Sequence, residues 1–258
     1  MNLQTPVYPP NPDYGNGLYR RRIRLVQTAT GEVCGELEDD CHGFRVVLQH
    51  DGRVVTGVSG RALRVPMSTC GQALKPLQGL IGIALDTPVS EIVASVNPRS
   101  NCTHWYDLAL LALVHATQAE AQRIYDVEVV DQPPDGSPAR AEVLLNGESI
   151  HCWLLDGTTV VQPQAFAGKP MLKGFSAWAN DAFEGAAREA AFVLSKGVFV
   201  AFSRLFDMSG SSGQSALEHA NMHGACYTYS KGVVEHAVRN HDVVRDFSDT
   251  PEQLLTFR

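Results

Sequence analysis

Apolar positions in the first part of the chain recur with a period of two. Phe44, Val46 and Leu48 alternate with polar neighbours, and so do Val54, Thr56 and Val58, which is the spacing of half-buried strands. His50-Asp51-Gly52 separates the two runs, and Asp-Gly supplies the positive φ that a tight hairpin needs. Residues 19–65 therefore predict an antiparallel meander of three or four strands. In Arg20-Arg21-Arg22-Ile23-Arg24 the arginines read as the solvent side of a strand whose other face carries Ile23 and Leu25. A phosphate- or acyl-carrier-binding patch is the other reading of that run.

The period then lengthens. Gly71 to Ile81 predicts a short helix, and Thr87-Pro88 opens a second, with threonine as N-cap and proline in the first turn. A longer helix is expected from Asn101 to about Arg123. On it His104, Asp107, Leu108, Leu111, His115 and Gln118 share one face, and Trp105, Ala109, Ala112 and Ala116 another. The second half follows the same plan without a residue-level repeat. Strand-like runs at 124–130, 140–145, 149–155 and 158–161 are punctuated by Pro134-Asp135-Gly136, Asn146-Gly147 and Asp156-Gly157. Helices are expected at 175–180, 181–205 and 230–239. The class is α+β: an antiparallel β-meander followed by helices, then a second β-meander followed by helices. Residues 1–18, rich in proline, read as a flexible tail. Residues 19–122 form the first sheet-plus-helices region and 123–258 the second, packed together as one unit.

A chain of 258 residues with 44% hydrophobic and 19% charged residues can bury a substantial core. The formal net charge of -7 argues against a nucleic-acid partner, because phosphate neutralisation needs a basic face. The apolar stretch 186–206 carries Arg188, Glu189, Lys196 and Arg204, so no membrane span is expected. Residues 1–14 lack a charged start followed by an apolar run, and the expected location is cytoplasmic. Six cysteines in a reducing compartment read as free, metal-bound or reactive. Cys34 and Cys152, inside strand patterns, read as packing.

The remaining cysteines and several histidines fall at turns and helix starts. Cys102 and His104 form one close pair and His223 and Cys226 another, with Cys70 and Cys41-His42 as further contributors. These are ligand types for a divalent metal such as zinc or iron, although no pair has a zinc-finger spacing. A thiol reading competes, since Cys102 follows an N-capping Asn101 and a helix start favours the thiolate. His104, two residues on, does not face it, so the base would be His223 or His42. A third reading is acid–base chemistry: His104 and Asp107 lie three apart on one helix face, with Tyr227 or Tyr229 as a phenolic acid.

The expectation is an enzyme with catalytic His104, Asp107, Cys102 and Tyr227 and metal ligands Cys70, Cys102, His104 and Cys226, assisted by His223. Its substrate would be a small, fairly apolar molecule, and its chemistry that of a lyase or hydratase, an isomerase or a hydrolase. The helix Ala190–Phe206 is either the core of the second half or the lining of an apolar substrate cavity. A homo-oligomer is compatible with the composition. The alternative is a non-enzymatic metal or iron–sulfur carrier, and a third class is an interaction subunit whose cysteines only pack.

Five stretches together resemble an uncharacterised bacterial family, a domain of unknown function. They are Tyr19-Arg20-Arg21-Arg22-Ile23, Pro66-Met67-Ser68-Thr69-Cys70, residues 101–109 (Asn-Cys-Thr-His-Trp-Tyr-Asp-Leu-Ala), Gly174-Phe175-Ser176-Ala177-Trp178 and Gly224-Ala225-Cys226-Tyr227-Thr228-Tyr229. The first half is also distantly similar to U-type iron–sulfur scaffold proteins, through the order of Cys41, Cys70 and Cys102 with His104. That family sets an Asp two residues after its first Cys and a His directly before its last. Here those positions hold Gly43 and Asn101. The resemblance implies that the three loops converge and that a cluster could be carried.

Overall fold

Eight strands form one antiparallel sheet in the order β4-β3-β2-β1-β5-β6-β7-β8, in a computed structural model that describes residues 8–219 and 222–257. The strands are β1 (Leu18–Ala29), β2 (Glu32–Asp39), β3 (Gly43–His50), β4 (Val55–Arg64), β5 (Gln122–Val130), β6 (Ala139–Leu145), β7 (Glu148–Asp156) and β8 (Thr159–Gln162). Within each run consecutive strands are neighbours. The two runs do not form separate sheets: β1 pairs with β5, placing Ile23 opposite Tyr125. The chain therefore mixes helix and strand around a single antiparallel sheet.

Helices cover one face. They are α1 (Leu74–Leu77), α2 (Val89–Ser95), α3 (Thr103–His115), α4 (Phe175–Ala182) and α5 (Gly185–Ala201). α3 lies over β2 and β3, α5 lies over β5 and β6, and both reach β1. Close approach is bought with glycine. A Cβ on Gly35 would sit 3.1 Å from Leu108 of α3, and one on Gly197 of α5 only 2.5 Å from Val127. Trp105, fully buried, packs on Phe44 at 5.1 Å and over Gly60, where a Cβ would lie 2.3 Å from its ring. A second aromatic cluster of Trp153, Phe166, Phe175, Trp178 and Phe183 fills the space beneath α4. Ala190, Ala191, Leu194 and Val198 of α5 are buried in this core, whereas Phe199 is exposed.

The other sheet face carries cross-strand ion pairs. Arg20 pairs with Glu128, Arg22 with Asp126 at 2.6 Å, and Glu36 with both Arg24 and Arg45. Arg20, Arg22 and Arg24 thus occupy the face expected of them. Arg21 does not. It shares the helix-covered face with Tyr19, Ile23 and Leu25 and is 3% exposed.

Other departures have local causes. The hairpin joining β3 to β4 contains a register shift at Gln49/His50, so the buried positions of β4 are Val55 and Val58, not the expected alternation from Val54. α2 starts at Val89, with Pro88 rather than Thr87 at its N-cap. α3 ends at His115, because the chain must turn before β5 begins at Gln122. Residues 230–239 form no α-helix: Gly232 has φ +86°, and Val238 and Arg239 bridge to Ser215 and Met67 as extended chain. Of the expected tail, residues 1–7 lie outside the described residues. Beyond them, Asp207 N–H donates to Pro9 O and Asn11 N–H to Leu205 O, at 2.8 and 2.9 Å. Near the other end, Leu255 and Phe257 N–H donate to Glu38 Oε2 on the ion-pair face. Among the described residues no helix is long and apolar enough to cross a membrane.

Candidate functional site

The two longest helices meet above the central strands, and the polar groups buried there come mainly from the β2–β3 hairpin. Asp39 closes that hairpin. Its N–H donates to His42 O at 2.9 Å, leaving Asp40 and Cys41 as a two-residue loop. Strand parity decides where the side chains go. Asp39 has the same parity as Val33 and Leu37, so it points into the helix-covered face, directly across from Arg21 on β1.

Asp39 is fully buried and surrounded by donors. Its Oδ2 accepts from Tyr19 O–H at 2.8 Å and from Arg21 Nη2 and Nε at 2.7 and 3.1 Å. Its Oδ1 accepts from the backbone N–H groups of Cys41 and His42 and contacts His42 Nδ1, each at 2.9 Å. Burial would push this carboxyl up, but His42 and Arg21 beside it hold it well below the usual carboxylate range. Ionised Asp39 is acceptor-only, so the His42 Nδ1 that faces it carries a proton. The Tyr19 hydroxyl is pushed well up by burial and stays a donor.

His104, in the first turn of α3, stacks on His42 with ring centres 3.7 Å apart and planes 26° from parallel. Its Nε2 lies 4.0 Å from Asp39 Oδ2. Burial first, then His42 and Arg21, drives its pKa well below the ordinary histidine value, so it is a neutral imidazole at pH 7. One turn on, Asp107 pairs with Lys196 of α5 at 3.1 Å, tying the two helices together. Asp107 influences Arg21, and Lys196 influences His104, so this bridge sits close to the buried group. The carboxylate nearest His104 Nε2 is thus that of Asp39 on β2, beyond hydrogen-bond distance, while Asp107, on its own helix, is engaged by Lys196.

The three loop cysteines are near one another but apart from this centre. Cys70 begins the turn after β4, Cys102 is the N-cap of α3, and Cys226 precedes the turn Tyr227–Tyr229. The Cys102 thiol feels the charge of both Cys70 and Cys226. Burial pushes its pKa far up, outweighing the backbone N–H groups of His104 and Trp105 that lower it. Burial likewise raises Cys70, to about 11, and Cys226. These thiols are held as thiols, and the argument from the helix start is reversed by desolvation. Cys70 Sγ approaches Thr228 Oγ1 at 3.6 Å.

His104 turns away from the thiols toward His42. Tyr227 is half-buried against the main core and its N–H donates to Asn101 O at 3.0 Å, while His223 is exposed. Cys41 is buried beside Ser203, and all six cysteines are free. Among the described residues, the one compact group able to offer three metal-ligand atoms is Asp39, His42 and His104, within 4.8 Å of one another. Of these the sequence singled out His104, and His42 as a base. Asp39 is not among the residues that stand out by type or position, and Arg21 is expected on the solvent face, though their parity with Leu37 and Ile23 is the available signal. No family model and no curated protein matches the chain.

Proposed function

We propose that this protein is an enzyme working by general acid–base chemistry at the seam between α3 and α5, with His42 as the proton-transfer group. The observation that carries this reading is the 2.9 Å contact between His42 Nδ1 and an ionised, fully buried Asp39. The carboxylate fixes the imidazole tautomer and stabilises the imidazolium that forms when Nε2 takes a proton. Such a group contributes on the order of 10²–10⁴ in rate. Neutral His104, stacked against it, is the second group within reach of a substrate, and its N–H can polarise a carbonyl or hydroxyl. Asp107 and Lys196 bridge the helices beside the seam and present both signs of charge to an incoming molecule. Proton abstraction, elimination or water addition on a small substrate suits this arrangement, which is lyase, isomerase or hydrolase chemistry.

The test is turnover in D2O across a panel of small hydroxy acids, unsaturated acids, ketones and esters, followed by NMR. Conversion or solvent-deuterium incorporation by the wild type should fall at least about a hundredfold in His42→Gln. Equal turnover by the His42→Gln protein would refute the assignment.

One observation favours a second reading, a metal carrier: the three ligand atoms of Asp39, His42 and His104 cluster within 4.8 Å. The donor set does not fit that role. A carboxylate offers about four lone-pair positions, and Asp39 already meets six contacts, two of them from one guanidinium. Two imidazoles stacked face to face also hold their in-plane lone pairs side by side, where they do not converge on one ion. Stoichiometric zinc or iron in protein purified without chelator, lost in His104→Ala, would replace the acid–base reading with this one.

A further inference from the structure

Three of the thiols lie apart from the His42 centre, where separate parts of the core meet. Cys102 belongs to the main core, and Cys70 to a small satellite cluster with Met67, Ala216, Val234 and Ala237. Cys226, half-buried, follows the exposed residues 223–225. Hydrogen bonds stitch the three segments together. Tyr227 N–H donates to Asn101 O at 3.0 Å, so the peptide units attached to Cys226 and Cys102 are bonded directly. Thr69 Oγ1 donates to Thr228 Oγ1 at 3.0 Å, and Cys70 Sγ contacts the same hydroxyl at 3.6 Å.

The backbone around two of these sulfurs repeats. Cys102 and Cys226 each hold the N-cap position of a helical turn. The N–H groups of His104 and Trp105 are oriented toward the first sulfur, and those of Thr228 and Tyr229 toward the second. Amides placed this way two and three residues on withdraw electron density from a metal-bound thiolate. Sulfur donors also select soft ions over oxygen-seeking ones.

Ligand number and charge narrow the choice. No fourth ligand joins the thiols among the described residues, because His104 is stacked on His42. Zinc prefers four ligands, and three thiolates around it would leave one negative charge where burial opposes charge on every sulfur. Copper(I) would leave two. A trivalent ion leaves none.

We infer that Cys70, Cys102 and Cys226 form a three-coordinate site for a thiophilic trivalent ion of the arsenite class. Arsenite, As(OH)3, exchanges its hydroxyls for thiols: three As–O bonds break and three As–S bonds form. Each thiol proton leaves in a water molecule, and no electrons are transferred. Reactants and product are all neutral, so protonated thiols are the right starting form. The sulfurs do not form a compact triad before the ion arrives. Rotation at χ1, which carries a cysteine sulfur about 3 Å per rotamer step, draws them together. The bound ion staples the segment after α5, which holds only short turns among the described residues, to the start of α3 and the turn after β4. Binding therefore raises Tm.

The experiment is titration of the whole reduced protein with arsenite, followed by native mass spectrometry, thermal unfolding and arsenic X-ray absorption. We expect one arsenic per chain with the loss of three hydrogens, a rise in Tm, and three sulfur neighbours without oxygen. Cys226→Ser should weaken binding at least tenfold and exchange one sulfur neighbour for oxygen. Made at a half-buried position, it keeps the test decisive if Cys70→Ser or Cys102→Ser fails to fold. Cys34→Ser and Cys152→Ser, in β2 and β7, should bind as wild type does. Absence of one-to-one binding at submillimolar arsenite, an oxygen neighbour in the wild type, or wild-type affinity in Cys226→Ser would each overturn the inference. So would stoichiometric zinc on these thiols that arsenite fails to displace.

Discussion

Replacing Asp39 by Asn keeps the shape of the side chain and removes its charge, which isolates what that charge does. In the wild type Arg21 is 3% and Asp39 0% exposed, with Nη2 and Oδ2 2.7 Å apart. Without the carboxylate, the Arg21 guanidinium is buried beside a neutral amide whose NH2 must also face donors now aimed at an oxygen. Breaking one side of a buried pair in this way costs about 3–5 kcal/mol, a large share of a total stability of about 5–15 kcal/mol. At roughly 2–4 °C per kcal/mol for a chain of this size, Tm should fall by some 6–20 °C. The pH dependence gives an independent check. Asp39 has a folded pKa below its unfolded value of about 3.9, so its contribution is present above that value and lost as pH falls below it. The gap between wild type and variant should therefore close below about pH 4. Urea denaturation of wild type, Asp39→Asn, Arg21→Met and the double variant measures both effects. The double variant should cost less than the sum of the singles, because it leaves no uncompensated charge. A loss under about 1 kcal/mol for Asp39→Asn, or strict additivity in the cycle, would refute the reasoning.

Three further outcomes follow from the packing and the buried acids. Gly60→Ala puts a methyl 2.3 Å from the Trp105 ring and 2.5 Å from the backbone oxygen of Arg45, so it should destabilise by about 1–3 kcal/mol or more, measured by chemical denaturation with tryptophan fluorescence. Asp40 has a folded pKa of about 8, above its unfolded value, so the folded state holds an extra proton between pH 4 and 8 and this group's contribution falls as pH rises. Asp40→Asn should accordingly gain on wild type across that window, and a constant difference in unfolding free energy at pH 5 and 8 would contradict it. Iodoacetamide at pH 7 should modify the exposed Cys152 first and leave the buried Cys41, Cys70 and Cys102 intact until unfolding, as mapped by peptide mass spectrometry.

Much of the sheet was legible because its signals are local. Asn146-Gly147 and Asp156-Gly157 turn the chain between β6 and β7 and between β7 and β8, and alternation placed Phe44, Val46 and Leu48 inside. The joining of β1 to β5 was not legible, since no short-range pattern specifies a partner about a hundred residues away. The site was half legible. His104 and His42 stood out by residue type, but Arg21 was hidden in a run of arginines whose neighbours do face the open side. The loop cysteines drew attention by their positions at turns, and their mutual proximity agrees with that. Their raised pKa values come from burial, which depends on what packs over them and leaves no mark on spacing.

The β1–β5 pairing bears on how the chain folds. Leu18 opposes Val130 and Val26 opposes Gln122, so this register closes a long loop, whereas every other strand pair joins neighbours in sequence. Loop closure is costly before its contacts form, so each four-stranded run should zip locally first and the central pairing should come late. Tyr19, Arg21, Asp39, His42 and His104 all belong to the earlier run. Only α5, with Lys196, arrives from the later one. The buried charges of the hairpin should therefore face water until the second half docks, and the final folding step is also the one that brings α5 and Lys196 up to Asp39, His42 and His104.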